Sequence, residues 1–338
     1  MGSLAHPFVR HLMERASALR GRIAIPDAPF DTRFLEAALE ARRQGWFDPV
    51  LVGSRDAIRS LAAGGGWHLG DIRIMDPDER GDLESMTDEY AVLRAKDRLA
   101  RPAIAALLAD PAAYACMLHR RGEIDGICSG VHYSTADLAR PAIRILGMQK
   151  GFTRMSALGV MLFSKTPLGD NLVFAAADGT ILPRPSAEEL AEVAILAADK
   201  AAAFLPETPR VAMLSFSTLG SARHEEVDRV VRALELVRAR RPDLAIDGEF
   251  QLDAAISPRV AAKKVKRPSE VAGRANVLIW PDLQSGNIGG KGMMLMGDGR
   301  LAGATFLGVN GLVTDHSRGA TVEECLINIA FAGAQVVR

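Results

Sequence analysis

NGLVTDHSRGATVEE, residues 310–324 of a 338-residue chain, decides how the rest is read. An apolar run over 304–313 precedes it and an amphipathic segment over 322–336 follows, so a strand, a tight polar turn and a helix are expected in that order. Thr321 stands where an N-cap would, and Glu324, three residues on, can bond back to the cap. The turn before it then sits at a positive helix terminus whose backbone N–H groups can hold an anion. Arg318 adds a planar fork of donors suited to phosphate or carboxylate, and Asp315 and Ser317 put further polar chemistry into the same turn.

The first half of the chain repeats the strand–loop–helix rhythm. Strands are expected over 22–26, 49–52, 72–75 and 126–128, with helices over 32–44, 55–63, 84–98 and 103–121 between them. Asp31 caps the first of these helices and Gly45 stands just past its end. Such alternation predicts a mostly parallel sheet covered on both faces, with ligand loops at the carboxyl ends of its strands. The loop after 126–128 continues as VHYSTADLARPAIRIL (131–146), in which Ser134 and Asp137 can form a capping box and Pro141 marks a start or a kink. Ser134, Thr135 and Arg140 there could hold phosphate oxygens, or equally be ordinary caps beside a surface arginine.

From Gly151 the composition shifts to a Gly/Pro-broken segment running to Pro185, which places a domain boundary near Lys150. Ser186 and Glu189 cap a helix with Leu190, Val193, Ala197, Ala201 and Phe204 at helical spacing. A buried strand over 211–216, a polar turn over 217–222 and a helix over 225–240 follow. Next come a strand–loop unit over 245–253, a strand over 277–280 and a Gly-rich loop over 281–291 leading into 293–296. Asp247 and Glu249 share a face if their strand is regular, with turn and edge roles as open as a catalytic one.

Length favours two domains, or one large α/β unit with an insertion. Lys+Arg and Asp+Glu are equal at 41 each, and no basic run interleaved with aromatics occurs, which argues against a nucleic-acid footprint. Cys116, Cys128 and Cys325 have no C-x-x-C spacing and lie among apolar neighbours, so they read as core thiols in a reducing compartment. The N-terminus reads as a short helix and not a signal peptide, and the longest apolar runs are about strand length, so no membrane span is expected. The Gly-rich loop fails the P-loop pattern because Gly292 follows Lys291, and the G-x-G-x-x-A match at 297–302 lacks a convincing strand before it. The histidines show no metal-ligand spacing, no G-x-S-x-G elbow is present, and His316 reads as a solvated loop residue.

Several segments, in order, carry a resemblance. DGICSGVHYSTADLARPAI (125–143), MLSFSTLGSARH (213–224), DGEFQLDAA (247–255), ANVLIWPDLQSGNIGGK (275–291) and DHSRGATVEE (315–324), with PDAPFDTR (26–33) before them, resemble phosphate acetyltransferases of the phosphate acetyl/butyryltransferase family. The resemblance spans nearly the whole chain. It implies two three-layer α/β domains with mostly parallel sheets, similar to isocitrate and isopropylmalate dehydrogenases. The first domain would take residues 1–150 plus 304–338 and the second 151–303, with the active site in the interdomain cleft.

The activity so implied is reversible transfer of an acetyl or other short acyl group between coenzyme A and inorganic phosphate. Coenzyme A is then a substrate, acetyl phosphate the partner species, and no cofactor is tightly bound. Glu324 occupies the position of the family's base, usually Asp, and Arg318 and Ser317 would act on the phosphoryl oxygens. Ser134, Thr135, Arg140, Arg94, Asn287, Lys291 and Asp315 are the implied substrate contacts. A cytoplasmic homodimer without membrane or nucleic-acid partners is also implied. The chain has Gly290-Lys291 where the family usually has Tyr-Lys, which would open the pocket to a larger acyl group. The alternative is a non-catalytic acyl-CoA-binding regulatory protein of the same fold, although such domains typically lose the Ser-Arg-Gly signature that stands here at 317–319.

Overall fold

The computed structural model describes residues 3–79 and 81–337. The chain forms two compact units. The first comprises Val9–Gln149 and the chain from Val309 onward, with the N-terminal residues up to Ala5; the second comprises Lys150–Gly308 with His6–Phe8.

In the first unit β1 (Arg22–Ile25), β2 (Asp48–Val52), β3 (Arg73–Met75) and β4 (Gly126–Cys128) are all parallel to their neighbours. In the second, β5 (Ser156–Thr166) and β6 (Gly169–Ala177) form an antiparallel hairpin, and β10 (Arg300–Leu307) pairs antiparallel with β5. Between them in sequence, β7 (Val211–Leu214), β8 (Ile246–Phe250) and β9 (Val277–Ile279) extend the sheet from β6 in the order β6-β9-β7-β8, all parallel. The last strand, β11 (Val313–Asp315), returns to the first unit and pairs parallel with β4, giving the order β3-β2-β1-β4-β11 there.

The first unit's sheet is covered by helices with apolar faces. Thr32–Arg43 buries Phe34, Leu35, Ala38 and Ala41, and Val322–Gly333 buries Leu326 and Ile329 in the same cluster as Ile23, Ile25 and Leu51. Asp31 caps the former helix through Arg33 N at 2.8 Å, and Thr321 caps the latter. The capping boxes expected at Ser134–Asp137, Ser186–Glu189 and Thr321–Glu324 are all formed.

Several expectations are corrected. The helix over 103–121 is two helices, Arg101–Leu108 and Pro111–Arg120, bent by 94°. Asp110 caps the second through Ala112 N and Ala113 N, and Pro111 has no N–H to continue the first. The segment over 84–98 ends as a helix at Leu93 and closes with a 3-10 turn at Ala95–Asp97. The Gly/Pro-broken region contains the β5–β6 hairpin, whose inner residues run apolar without alternation because both faces are buried. The strand unit over 245–253 ends at Phe250 and gives way to the helix Leu252–Ile256.

The Gly-rich loop over 281–291 is not a loop. It is the first part of the helix Leu283–Met296, capped by Asp282 through Ser285 N at 2.8 Å, and Met293–Met296 are its last turn. Its glycines answer to close packing: a Cβ at Gly286 would overlap the backbone oxygen of Asp178, and one at Gly289 would come within 2.8 Å of the Trp280 ring.

Candidate functional site

Parallel pairing sets the carboxyl ends of β1, β4 and β11 side by side in the first unit. Asp27 follows β1, Ser129 and Gly130 follow β4, and Asp315 closes β11. Polar side chains at such ends are where an open α/β sheet gathers ligands.

Asp27 is fully buried, and its carboxylate accepts from the Ser129 hydroxyl and from the N–H groups of Val131 (3.1 Å) and His132 (2.7 Å). Burial pushes its pKa up, and these donors pull it back. Asp315 is 4% exposed; its Oδ2 accepts from Thr135 Oγ1 at 2.6 Å, while its buried Oδ1 has no hydrogen-bond partner among the described residues. Burial, aided by repulsion from Asp27, pushes the Asp315 carboxyl up to about 7 against the pull of Thr135, the His316 N–H and Arg318. The backbone at Gly130 has φ +127°, and a Cβ there would overlap His316 N and Asp315 Oδ1. Only glycine lets these turns approach.

The next turn carries Ser317, Arg318 and Gly319, all exposed. Its backbone is fixed from outside by Arg33, which forks onto Asp31 (Nε to Oδ1 3.0 Å, Nη2 to Oδ2 2.7 Å) and turns Nη1 to the carbonyls of Arg318 (2.9 Å) and Ala320 (2.6 Å). Ser317 N–H donates to Nδ1 of His316 at 2.8 Å, and His316 is buried, not solvated as the sequence suggested. The Arg318 guanidinium makes no hydrogen bond or ion pair with another described residue, although Asp137 and Asp315 both feel its charge.

Glu324 is the cap of the final helix. Its Oε2 accepts from Thr321 N (2.8 Å) and Thr321 Oγ1 (3.0 Å), and Glu324 N donates to Thr321 Oγ1 at 3.2 Å. Ser134 is engaged in its own capping box, and Arg140 lies 3.7 Å from Asp137 on the following turn. Beside Asp137 opens a cleft of about 360 Å³ lined by Tyr90, Leu107, Tyr133, Arg140, Arg144 and Ile145 among others.

Thr135, Asp315, Ser317 and Arg318 are thus on adjoining turns. Arg94 is placed differently: it ends the helix Leu83–Leu93, and its guanidinium is bound to Asp97 at 2.9 and 3.0 Å. Asn287 and Lys291 are in the second unit, both exposed on the helix Leu283–Met296, with Asn287 Nδ2 donating to the Gly179 carbonyl at 3.1 Å. Asp247 and Glu249 serve different partners. Asp247 binds Arg238, Arg267 and Ser269, and Glu249 accepts from Ser217 Oγ and Gly220 N, each at 2.7 Å. Asp27 and Arg33 were not singled out from the sequence; the signal was a carboxylate set directly after the apolar run RIAIP.

Residues 7–333 match the family model described as phosphate acetyl/butaryl transferase. The chain is 38% identical over 328 residues to a phosphate acetyltransferase of Thermoanaerobacterium thermosaccharolyticum, covering 97% of this chain and 98% of that one. A phosphotransacetylase structure from Streptococcus pyogenes superposes with a TM-score of 0.88 at 35% identity, covering 99% of each chain. A 4-hydroxythreonine-4-phosphate dehydrogenase from Burkholderia phymatum shares the fold alone, at 12% identity and a TM-score of 0.56 over 94% of this chain and 99% of that one. Match, length and fold agree, and the chain belongs to the phosphate acetyl/butaryl transferase family.

Proposed function

We propose that the Ser317–Arg318–Gly319 turn, with Ser134 and Thr135 from the loop after β4, holds the phosphoryl group of the reaction. The protein is an acyltransferase that moves a short acyl group reversibly between coenzyme A and inorganic phosphate. The observation that carries the assignment is Arg318, an exposed arginine whose guanidinium makes no ion pair among the described residues, on a turn whose carbonyls are tied down by Arg33. A guanidinium presented from a braced turn suits an anionic ligand.

In this reading the coenzyme A thiol, with an ordinary pKa of about 8.5, gives its proton to Glu324. The thiolate sulfur attacks the acyl carbonyl carbon, the carbon–oxygen bond to phosphate breaks, and the departing phosphate is stabilised by Arg318 and the Ser317 hydroxyl. Binding both substrates together makes a covalent enzyme intermediate unnecessary. Arg94, Arg140, Asn287 and Lys291 are assigned to coenzyme A and phosphate contacts. Gly290 supports a larger acyl group, since a Cβ there has only Met161 Sδ within 4 Å, at 3.9 Å. No single helix among the described residues is long and apolar enough to cross a membrane; a cytoplasmic homodimer enters this reading from the family resemblance alone. The comparisons give no support to the regulatory alternative.

Thioester formation from coenzyme A and acetyl, propionyl or butyryl phosphate tests the assignment. Arg318→Ala is expected to lower kcat/KM by about 10²–10³-fold, as for loss of one fixed donor to a developing anion. No turnover on any acyl phosphate, with coenzyme A binding retained, would remove the enzyme reading. A folded and fully active Glu324→Gln variant would leave Glu324 a cap alone.

A further inference from the structure

Asp315 is more buried than a substrate contact needs to be, and it sits between the two turns assigned to phosphate. Its Oδ2 takes the Thr135 hydroxyl of the helix Thr135–Pro141, and its own backbone leads into Ser317 and Arg318. Among the described residues the charged and titratable groups acting on it include Asp27 after β1, Cys128 on β4 and Arg318 on its own turn, with the buried His316 next to it in the chain. Asp27 is satisfied by three donors, whereas the buried Oδ1 of Asp315 makes no hydrogen bond of good geometry with a described residue and has only the pull of the nearby His316 N–H. Of two close buried carboxyls, the less well solvated one holds the proton. Arg318 is the cation that favours its ionised form.

We propose that Asp315 is a positioning residue that joins the Thr135 and Ser317–Arg318 turns and takes up a proton from solvent when an anion occupies Arg318, returning it when the anion leaves. The inference rests on the phosphate reading of that turn. An anion on Arg318 offsets the positive charge that favours the ionised form and adds negative charge, so the ionised Asp315 becomes harder to keep. The proton neutralises Oδ1, the oxygen that no described residue bonds, and leaves the Thr135 bond to Oδ2 in place. Site geometry is then held by a neutral group while the ligand supplies the negative charge.

Two measurements decide it. In protein with carboxyl-labelled aspartate, carbon NMR should show one carboxyl, absent in Asp315→Asn, titrating near neutrality, with its midpoint moving up in Arg318→Gln without any ligand. Calorimetry of inorganic phosphate binding near pH 7, in buffers of different ionisation enthalpy, should show roughly half a proton more taken up by wild type than by Asp315→Asn. The ionisation of phosphate itself contributes equally to both. If Asp315→Asn does not fold, the Arg318→Gln titration identifies the carboxyl instead. A set of aspartates that all titrate below about 5, the ordinary range with its usual spread, overturns the inference, as does equal proton uptake by the two proteins. Phosphate that fails to bind wild type sinks the phosphate reading of the turn; phosphate that binds without moving an extra proton sinks only the role of Asp315.

Discussion

Arg33 commits every guanidinium nitrogen: two hold Asp31, and the third holds two carbonyls of the Ser317 turn. A lysine has the charge but not the fork, so Arg33→Lys should behave nearly as badly as Arg33→Ala. Each lost bond to a charged donor is worth about 1.5–3 kcal/mol. Because the turn would loosen without losing its own chemical groups, the expected outcome is a phosphate KM raised about tenfold, the equivalent of 1.4 kcal/mol, with kcat changed less. Initial-rate kinetics check this, and an unchanged KM would show the brace to be incidental. The capping boxes at Ser134–Asp137 and Thr321–Glu324, which frame the proposed site, were legible in the sequence because caps are local. Asp27 and Arg33 were not, since their partners lie about a hundred or more residues away: Ser129 for Asp27, and the carbonyls of Arg318 and Ala320 for Arg33.

At the scale of elements, the helix Leu283–Met296 shows glycine under two constraints. Gly286 faces backbone, with its would-be Cβ overlapping Asp178 O, whereas Gly292 has nothing within 4 Å. Gly286→Ala must push main chain apart and should cost about 1–3 kcal/mol. Gly292→Ala should instead stabilise by about 0.5–1 kcal/mol, through helix propensity alone. Thermal unfolding of the pair separates the two effects, and equal Tm changes of one sign would refute the packing argument. The same contrast explains why this helix was hidden. Glycine density announces a loop when only propensity is weighed, and the neighbours that demand the glycines, Asp178 and Trp280, come from other strands' ends. The β5–β6 hairpin was hidden for a related reason: burial on both faces removes the alternation by which a strand is recognised. The first unit's strands escaped that fate because capped helices punctuate them.

At the scale of the whole molecule, acidity pulls stability in two directions. His119 is half-buried, with Nδ1 3.2 Å from the Ile124 carbonyl and Nε2 accepting from Leu312 N at 2.9 Å, an arrangement that suits the neutral ring. Burial lowers its pKa against the pull of Ile124 and Asp125. The unfolded chain then binds this proton more readily than the folded one, so stability rises with pH up to about 6.5 and is lost on acidification below it. Asp315 has the opposite sign. With its folded pKa raised to about 7, the native state holds a proton that the unfolded chain has released, so its contribution is full below the ordinary aspartate range and is lost progressively as pH rises to about 7. Chemical denaturation across pH 5–8 should therefore show stability rising less with pH between about 5 and 6.5 in His119→Gln, and rising more over about 5–7 in Asp315→Asn, than in wild type. The reverse pattern would contradict both environments. Sedimentation velocity should return a dimer at micromolar concentration, and a wild-type monomer would remove the homodimer proposal.

Glu324 divides its labour between two atoms. Oε2 receives both capping bonds from Thr321, and Oε1 receives none from the described residues. In the proposed role as base, a proton arriving from a thiol would settle on Oε1 while Oε2 goes on holding the first turn of the helix. Turnover then need not fray the element that aims the site, and one side chain can be reagent and fastening at once.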